Sequence, residues 1–233
     1  MSLLIDLSGD KAVQGDIQES LPQDSDKTKS DNSVSVQPLP RTSEADIVLA
    51  PAGLAENSAL LAYLTALINT VYTQEEGEFW HGGQFARCTL EEVGRYIVAG
   101  ELAIAWRHGS AQMDTKDLMG CVRVQMIDSR TGEFGVLMCD PAFRGLGLGR
   151  DLLGFAETWA RKQGAEVMQL ELLTPDGWHH ASKARLAIWY ERAGFGLIRV
   201  GDVADEFPHL TRILVRPAKV CVYHKTLSEP AHH

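Results

Sequence analysis

Basic residues are the minority charge in this chain: 22 Lys and Arg stand against 31 Asp and Glu in 233 residues, a net charge of −9. Neutralising phosphates takes clustered Lys and Arg, so the deficit argues against nucleic acid as a partner. Long apolar runs are missing as well. No stretch approaches the ~20 residues of a membrane span, and no membrane partner is expected. The first residues, MSLLIDLSGD, lack the basic start and long apolar core of a secretory signal, which predicts an intracellular, cytoplasmic protein with the nucleus left open. Cysteine is sparse: Cys88, Cys121, Cys139 and Cys221 lie far apart with no CxxC pair. That spacing suits neither a metal site nor a redox pair, so no metal is expected and the thiols read as reduced. Aromatic residues are absent from residues 1–44, which are rich in Ser, Asp, Gln and Lys. Such a segment buries too little apolar surface to offset its ordering entropy and reads as a disordered tail. Residues 229–233 read as a flexible C-terminus.

From Ala45 the texture is that of a globular protein. DIVLAPAG reads as a strand and turn. In ENSALLAYLTALINTVY, Leu60, Leu61, Leu64, Leu67, Ile68 and Val71 recur at helical spacing, which predicts a helix with one buried face. TLEEVGRYIVAG starts a second helix, with Thr89 and Glu92 spaced as a capping box. ELAIAWRHG, DLMGCVRVQMID and EFGVLMC read as three strands, the last two joined by the turn SRTG. A helix follows with Leu148, Leu152, Phe155, Ala156 and Trp159 along one side and Gly164 at its stop. AEVMQLELL is apolar enough for the middle of a sheet. This strand–helix–strand unit predicts a parallel pair with a right-handed crossover. A last helix, SKARLAIWYERAG, is expected to be capped by Ser182 and ended by Gly194, before two closing strands, FGLIRVG and KVCVYHKTL.

Gly145, Gly147 and Gly149 alternate where a strand hands over to a helix. First-turn N–H groups there lack intrahelical partners and the helix dipole is positive, so bare backbone at that point suits a phosphate or pyrophosphate. The same glycines would also permit tight helix–sheet packing. Two familiar phosphate loops fail on spacing. No GxxxxGK[ST] is present, and a GxGxxG would need glycine at Arg150 or Leu152.

Arg144-x-x-Gly147-x-Gly149 resembles the [QR]xxGx[GA] acetyl-CoA loop of the GNAT superfamily of N-acetyltransferases, and AIWYERAGF, Ala187 to Phe195, resembles that family's Tyr-Glu-x-x-Gly-Phe segment. The two lie in the family's order. The resemblance implies one acetyltransferase domain over residues 45–228. Its fold would be mixed α/β: a central, mostly antiparallel sheet with one splayed parallel strand pair and helices on both faces. It implies acetyl-CoA as co-substrate, with the diphosphate on the backbone of Gly145, Leu146, Gly147, Leu148, Gly149 and Arg150 behind Arg144. The backbone of Leu137, Met138 and Cys139 would bond the pantetheine arm. Where many members carry asparagine at the coenzyme, this chain has Lys183, which could meet a phosphate or the substrate instead.

The implied reaction is direct attack of an amine on the thioester in a ternary complex. An alkylamine of pKa about 10.4 lies ~3.4 units above pH 7, so exposing its free base costs roughly 4–5 kcal/mol, and a positioned base helps to supply it. Glu133, eleven residues before Arg144, matches a catalytic glutamate of the histone-type branch, and also reads as a residue that simply ends the hairpin. Glu171 is a second candidate, and His179 with His180 a third. Tyr190 matches the family's tyrosine at the departing sulfur, and the alternative reading is a tyrosine packed for its ring. The segments EEGEFWHGG and DVADEFPHL, where the family recognises acceptors, are acidic with an aromatic, a composition that suits a cation but also fits solvated loops. A peptide amine, a polyamine, an amino acid or a drug-like amine all stay open, as does a homodimer. A different class of protein, a silent acyl-CoA-binding sensor, would bind at the same loop without turnover.

Overall fold

In the computed structural model, which describes residues 45–82, 85–110 and 114–227, the apolar periodicities resolve into seven strands and four principal helices. The tail and C-terminal expectations, residues 1–44 and 229–233, lie outside the described residues. Strand β1 (Ala45–Leu49) leads to helices α1 (Ser58–Glu76) and α2 (Leu90–Val98). Strands β2 (Leu102–Arg107), β3 (Leu118–Met126) and β4 (Thr131–Cys139) follow. Helix α3 (Leu148–Lys162), strand β5 (Val167–Pro175), helix α4 (Ala181–Arg192) and strands β6 (Gly196–Asp202) and β7 (Ala218–Thr226) complete the order.

Local chemistry sets the helix starts. Asn57 caps α1 by accepting the Leu60 N–H at 3.1 Å. The capping box of α2 is complete: Thr89 Oγ1 accepts the Glu92 N–H at 3.1 Å, and Glu92 Oε2 accepts the Thr89 N–H at 2.8 Å. Such a cap stabilises a helix by about 1 kcal/mol. Helix α4 corrects the sequence expectation, because its cap is His180 and not Ser182. The His180 Nδ1 atom accepts the Lys183 N–H at 3.5 Å, and Ser182 lies inside the first turn with its hydroxyl 3.0 Å from the same nitrogen. Gly164 and Gly194 end α3 and α4 at φ of 90° and 93°, left-handed backbone that glycine adopts without strain.

The sheet runs β1-β2-β3-β4-β5-β7-β6, and every pairing is antiparallel except β4 with β5. That parallel pairing is short. It extends from Thr131↔Val167 to Glu133↔Gln169, and beyond it the two strands part. Each strand is held on its far side: β4 stays with β3 as far as Gly120↔Cys139, while β5 follows β7 as far as Pro175↔Ala218. A bulge on β4 accompanies the parting. Between the pairs Arg123↔Gly135 and Cys121↔Met138, β3 has one residue and β4 has two, Val136 and Leu137. Val136 sits at φ 47°, left-handed backbone that a β-branched residue rarely takes, and the extra residue bends β4.

Close packing pins the bulged end of β4. A Cβ built on Gly120 of β3 would lie 2.4 Å from the Met138 carbonyl oxygen and 3.3 Å from the Leu148 side chain at the start of α3. Gly154, by contrast, faces open space in the middle of α3. Gly120→Ala is therefore expected to destabilise the fold by about 1–3 kcal/mol, since backbone cannot yield cheaply. Gly154→Ala is expected to stabilise it by about 0.5–1 kcal/mol. Thermal melts of the two variants check this, and a fall for Gly154→Ala or a rise for Gly120→Ala would contradict it.

Candidate active site

The glycine loop forms a cradle at the mouth of α3. Gly145 and Gly147 have φ of 81° and 77°, and Gly147 is the N-cap residue of the helix. The Arg150 and Asp151 N–H groups turn back onto the Gly147 carbonyl at 3.0 and 3.2 Å. The N–H groups of Leu148 and Gly149, in the first turn, have no earlier carbonyl of their own helix to bond. A Cβ on Gly145 would meet nothing within 4 Å, so the approach to this backbone is open. Bare N–H groups at a helix start fit a diphosphate, because positive dipole and donors coincide there. Leu146 and Arg150 are exposed on the rim. Arg144, also exposed, places Nη2 3.5 Å from Glu75 Oε1 on α1, which ties the cradle to the end of that helix.

Where β4 and β5 part, the two faces of the sheet carry different chemistry. Glu133 and Phe134 are consecutive on β4 and so point to opposite faces. On one face Glu133 Oε1 accepts from Gln125 Nε2 at 2.7 Å and Glu133 Oε2 from Gln169 Nε2 at 2.9 Å. The row continues outward. His224 Nε2 meets Gln169 Oε1 at 2.8 Å, and on the other side Arg123 meets Gln125 at 2.6 Å and Glu101 at 2.8 Å. Glu171, two residues beyond Gln169, shares this face; burial raises its pKa, and the Glu133 charge adds to the effect. On the other face Phe134 packs against Tyr190 and Phe195, with ring centroids 5.9 and 5.8 Å away, and these two rings lie 5.9 Å from each other. Tyr190, fully buried on α4, is thereby fixed beside the fork. Leu137, Met138 and Cys139 are buried along β4 past the point where its pairing with β5 stops.

A buried charged cluster joins α1 to α4. Lys183 donates to Glu76 Oε1, and neither side chain has more than 1% exposure. Burial draws the Lys183 ammonium below its ordinary range, while the Glu76 carboxylate opposes that shift. Removing one partner of such a pair leaves an uncompensated buried charge. One turn back along α1 from Glu76, burial pushes the Tyr72 phenol far above its usual pKa, with the Arg87 guanidinium pulling the other way. That guanidinium lies over the Tyr72 ring, 5.2 Å from its centroid. The Glu76 charge adds to that rise, and through Lys183 the cluster joins α4, the helix that carries Tyr190.

The sequence-predicted residues thus separate into groups. Glu133 and Glu171 share one face near the fork, Tyr190 takes the other, and the residues from Arg144 to Arg150 form the loop and first helical turn of the cradle. Lys183 has its ammonium committed to Glu76. His180 is occupied as a helix cap and stacks on Phe79 at 5.3 Å, and burial lowers its pKa, in keeping with a neutral ring that accepts at Nδ1. His179 is exposed. Sequence reading missed Tyr72, Glu76 and Arg87. A signal was present: Glu76 continues the apolar stripe of Ile68 and Tyr72 at intervals of four, a carboxylate where the helix face is buried.

Among the described residues no group of three or more His, Cys, Asp or Glu could hold a metal ion, and no helix is long and apolar enough to cross a membrane. No curated protein sequence matches the chain. Solved structures do match its fold. Ard1 from Thermoplasma volcanium aligns at a TM-score of 0.53 and 11% identity, covering 80% of this chain and 99% of that one. The yncA protein of Salmonella typhimurium, solved with its cofactor acetyl-CoA, aligns at 0.54 and 18%, covering 81% and 97%. An aminoglycoside 6'-N-acetyltransferase complexed with coenzyme A aligns at 0.52 and 15%, covering 75% and 94%. Identities this low speak for the fold alone. The model of the acetyltransferase (GNAT) family, however, matches residues 64–195, more than half of the sequence. This chain belongs to the GNAT acetyltransferase family, acyltransferases whose co-substrate is acetyl-CoA.

Proposed function

We propose that the protein is an N-acetyltransferase that moves the acetyl group of acetyl-CoA to a primary amine of a small molecule or peptide, by direct attack within a ternary complex. One observation carries the reading. At the fork between β4 and β5, consecutive residues of β4 lead to a carboxylate on one face, Glu133, and to a phenol on the other, Tyr190. A proton acceptor and a proton donor on opposite sides of one gap are what an acyl transfer from thiol to amine requires.

Acetyl-CoA supplies the activated acyl group, a thioester with a good leaving group. The backbone N–H groups from Gly145 to Arg150 hold its diphosphate. The edge of β4 at Leu137, Met138 and Cys139, past its last pair with β5, offers N–H and C=O groups to the amides of the pantetheine arm, as a neighbouring strand would. Glu133 receives the proton of the incoming ammonium. Each of its oxygens already accepts one amide N–H, and a carboxylate retains further lone pairs for a substrate or water. Gln125 and Gln169 thereby hold the group in place. Glu171, nearby on the same face, keeps its proton to higher pH and is the second candidate for proton transfer. Tyr190 donates a hydrogen bond to the thiolate as charge develops. A phenol near pKa 10 facing a thiol near 8.5 leaves complete transfer uphill by roughly 2 kcal/mol, so the role is stabilisation rather than full protonation.

Three outcomes test this. Gly147→Trp is expected to fold but to lose the thermal stabilisation that acetyl-CoA confers on the parent; undiminished stabilisation would remove the loop from the account. Tyr190→Phe is expected to lower kcat by one to two orders of magnitude, with a much smaller change in coenzyme affinity; equal losses in both would contradict the leaving-group role. Glu133→Gln is expected to slow the reaction most at low pH, where the free amine is scarcest, and a near-normal rate at every pH would pass the role to Glu171 or water.

A further inference from the structure

The segments expected to meet the acceptor carry six acidic residues, yet five of them are matched within the chain. Glu75 meets Arg144, Glu76 meets Lys183, Glu78 meets Arg216, Asp202 meets Lys219 and Glu206 meets Arg199. The exposed pairs among them add little stability, but all five together cancel much of the negative field that would draw a polycation. A further cation in this region is Arg87, in the connection between α1 and α2. Among the described residues no carboxylate lies within ion-pair distance of it, and its buried Nε has no hydrogen-bond partner. A guanidinium cannot shed its proton, so charge and unanswered donor are both permanent. The same connection contributes a second buried donor with no partner, Trp80 Nε1. A third orphan has the opposite sign: Glu76 Oε2 is buried and accepts nothing, while Oε1 of the same group holds Lys183.

Buried polar groups are nearly always answered, and groups that are not invite an explanation. Two unmet N–H donors, the unmet Tyr72 hydroxyl and one unmet carboxylate oxygen call for a ligand that brings both an anion and an N–H donor. We propose that the acceptor is an amine that also carries a carboxylate, of the amino-acid class, with Arg87 receiving the carboxylate and Glu76 Oε2 an N–H of the acceptor. The location agrees. Tyr72 lies beneath Arg87 and one turn from Glu76, and Glu76 holds Lys183, which stands two turns before Tyr190 on the same side of α4, so a ligand held there ends near the fork. Arg87 as a residue is half-buried, so part of it still meets solvent. The assignment rests on the N-acetyltransferase reading for its chemistry, but the anion seat itself does not depend on turnover.

The test pairs the proteinogenic amino acids with their carboxamides. Thiol release from acetyl-CoA is measured alongside binding by calorimetry in the presence of coenzyme A. At least one free acid is expected to outrun its own amide by roughly 10- to 100-fold in kcat/KM. Arg87→Met is expected to abolish that preference through KM, while acetyl-CoA still raises the melting temperature as it does in the parent. Arg87→Lys, which keeps the charge but not the Nε donor, is expected to fall between them and guards against a fold lost with Met. Carboxylate-dependent binding that disappears in Arg87→Met but comes with no turnover of any amine would uphold the seat and overturn the transferase reading. Amides, polyamines or basic peptides that react as well as or better than free acids, or an Arg87→Met variant that treats acid and amide as the parent does, would overturn the proposal.

Discussion

The parting of β4 from β5 after Glu133↔Gln169 is the constraint on which everything else in this molecule depends. A sheet normally satisfies its backbone by continuing the ladder. Here the ladder is stopped on purpose by the partners on either side: β5 is committed to β7 over nine residue pairs, and β4 is bent at Val136 while β3 keeps hold of its far end. The strained φ at Val136 is the local cost, and the packing of Gly120 against Met138 and Leu148 holds it in place. The result is a strand edge in the interior of a sheet, the one kind of surface that can accept an extended amide-containing arm as though it were another strand.

From that gap the positions of the other parts follow. The short connection after β4 delivers the chain to the start of α3, so the glycine cradle lies at the open end of the fork. The crossover through α3 brings β5 back parallel to β4, and α4 then lays Tyr190 against Phe134. Two ion pairs bind these pieces through the adjacent residues Glu75 and Glu76, one reaching the cradle at Arg144 and the other the start of α4 at Lys183. The end of α1 is thus tied both to the glycine loop and to α4.

Much of this was legible in the sequence, because it depends on local pattern. Strand alternation, the stripes of α1 and α3, the Thr89–Glu92 capping box and the terminal glycines all express short-range physics, and each has its counterpart in the structure. What was not legible depends on long-range fit. Ser182 looked like a cap, but the helix starts two residues earlier and His180, whose ring is also stacked on Phe79, takes the role. The bulge at Val136 has no signature, since valine is an unfavourable residue for that backbone. Five of the six acidic residues that suggested a cationic partner proved to be matched by Arg and Lys, and for Glu75, Glu76 and Glu78 the partners come from remote parts of the chain, a fact no local reading contains. Glu76 is the intermediate case: a carboxylate on an apolar stripe is visible in sequence, but its partner 107 residues away is not.

The central claim is that the gap between β4 and β5 holds the acyl end of acetyl-CoA while the mouth of α3 holds its diphosphate. A crystal structure of the protein with acetyl-CoA tests it directly. The account predicts the diphosphate on the N–H groups between Gly145 and Arg150, the pantetheine arm along Leu137 to Cys139, and the sulfur within hydrogen-bonding reach of the Tyr190 hydroxyl. Coenzyme lodged elsewhere, or a gap closed by the protein's own side chains with the coenzyme bound, would contradict it.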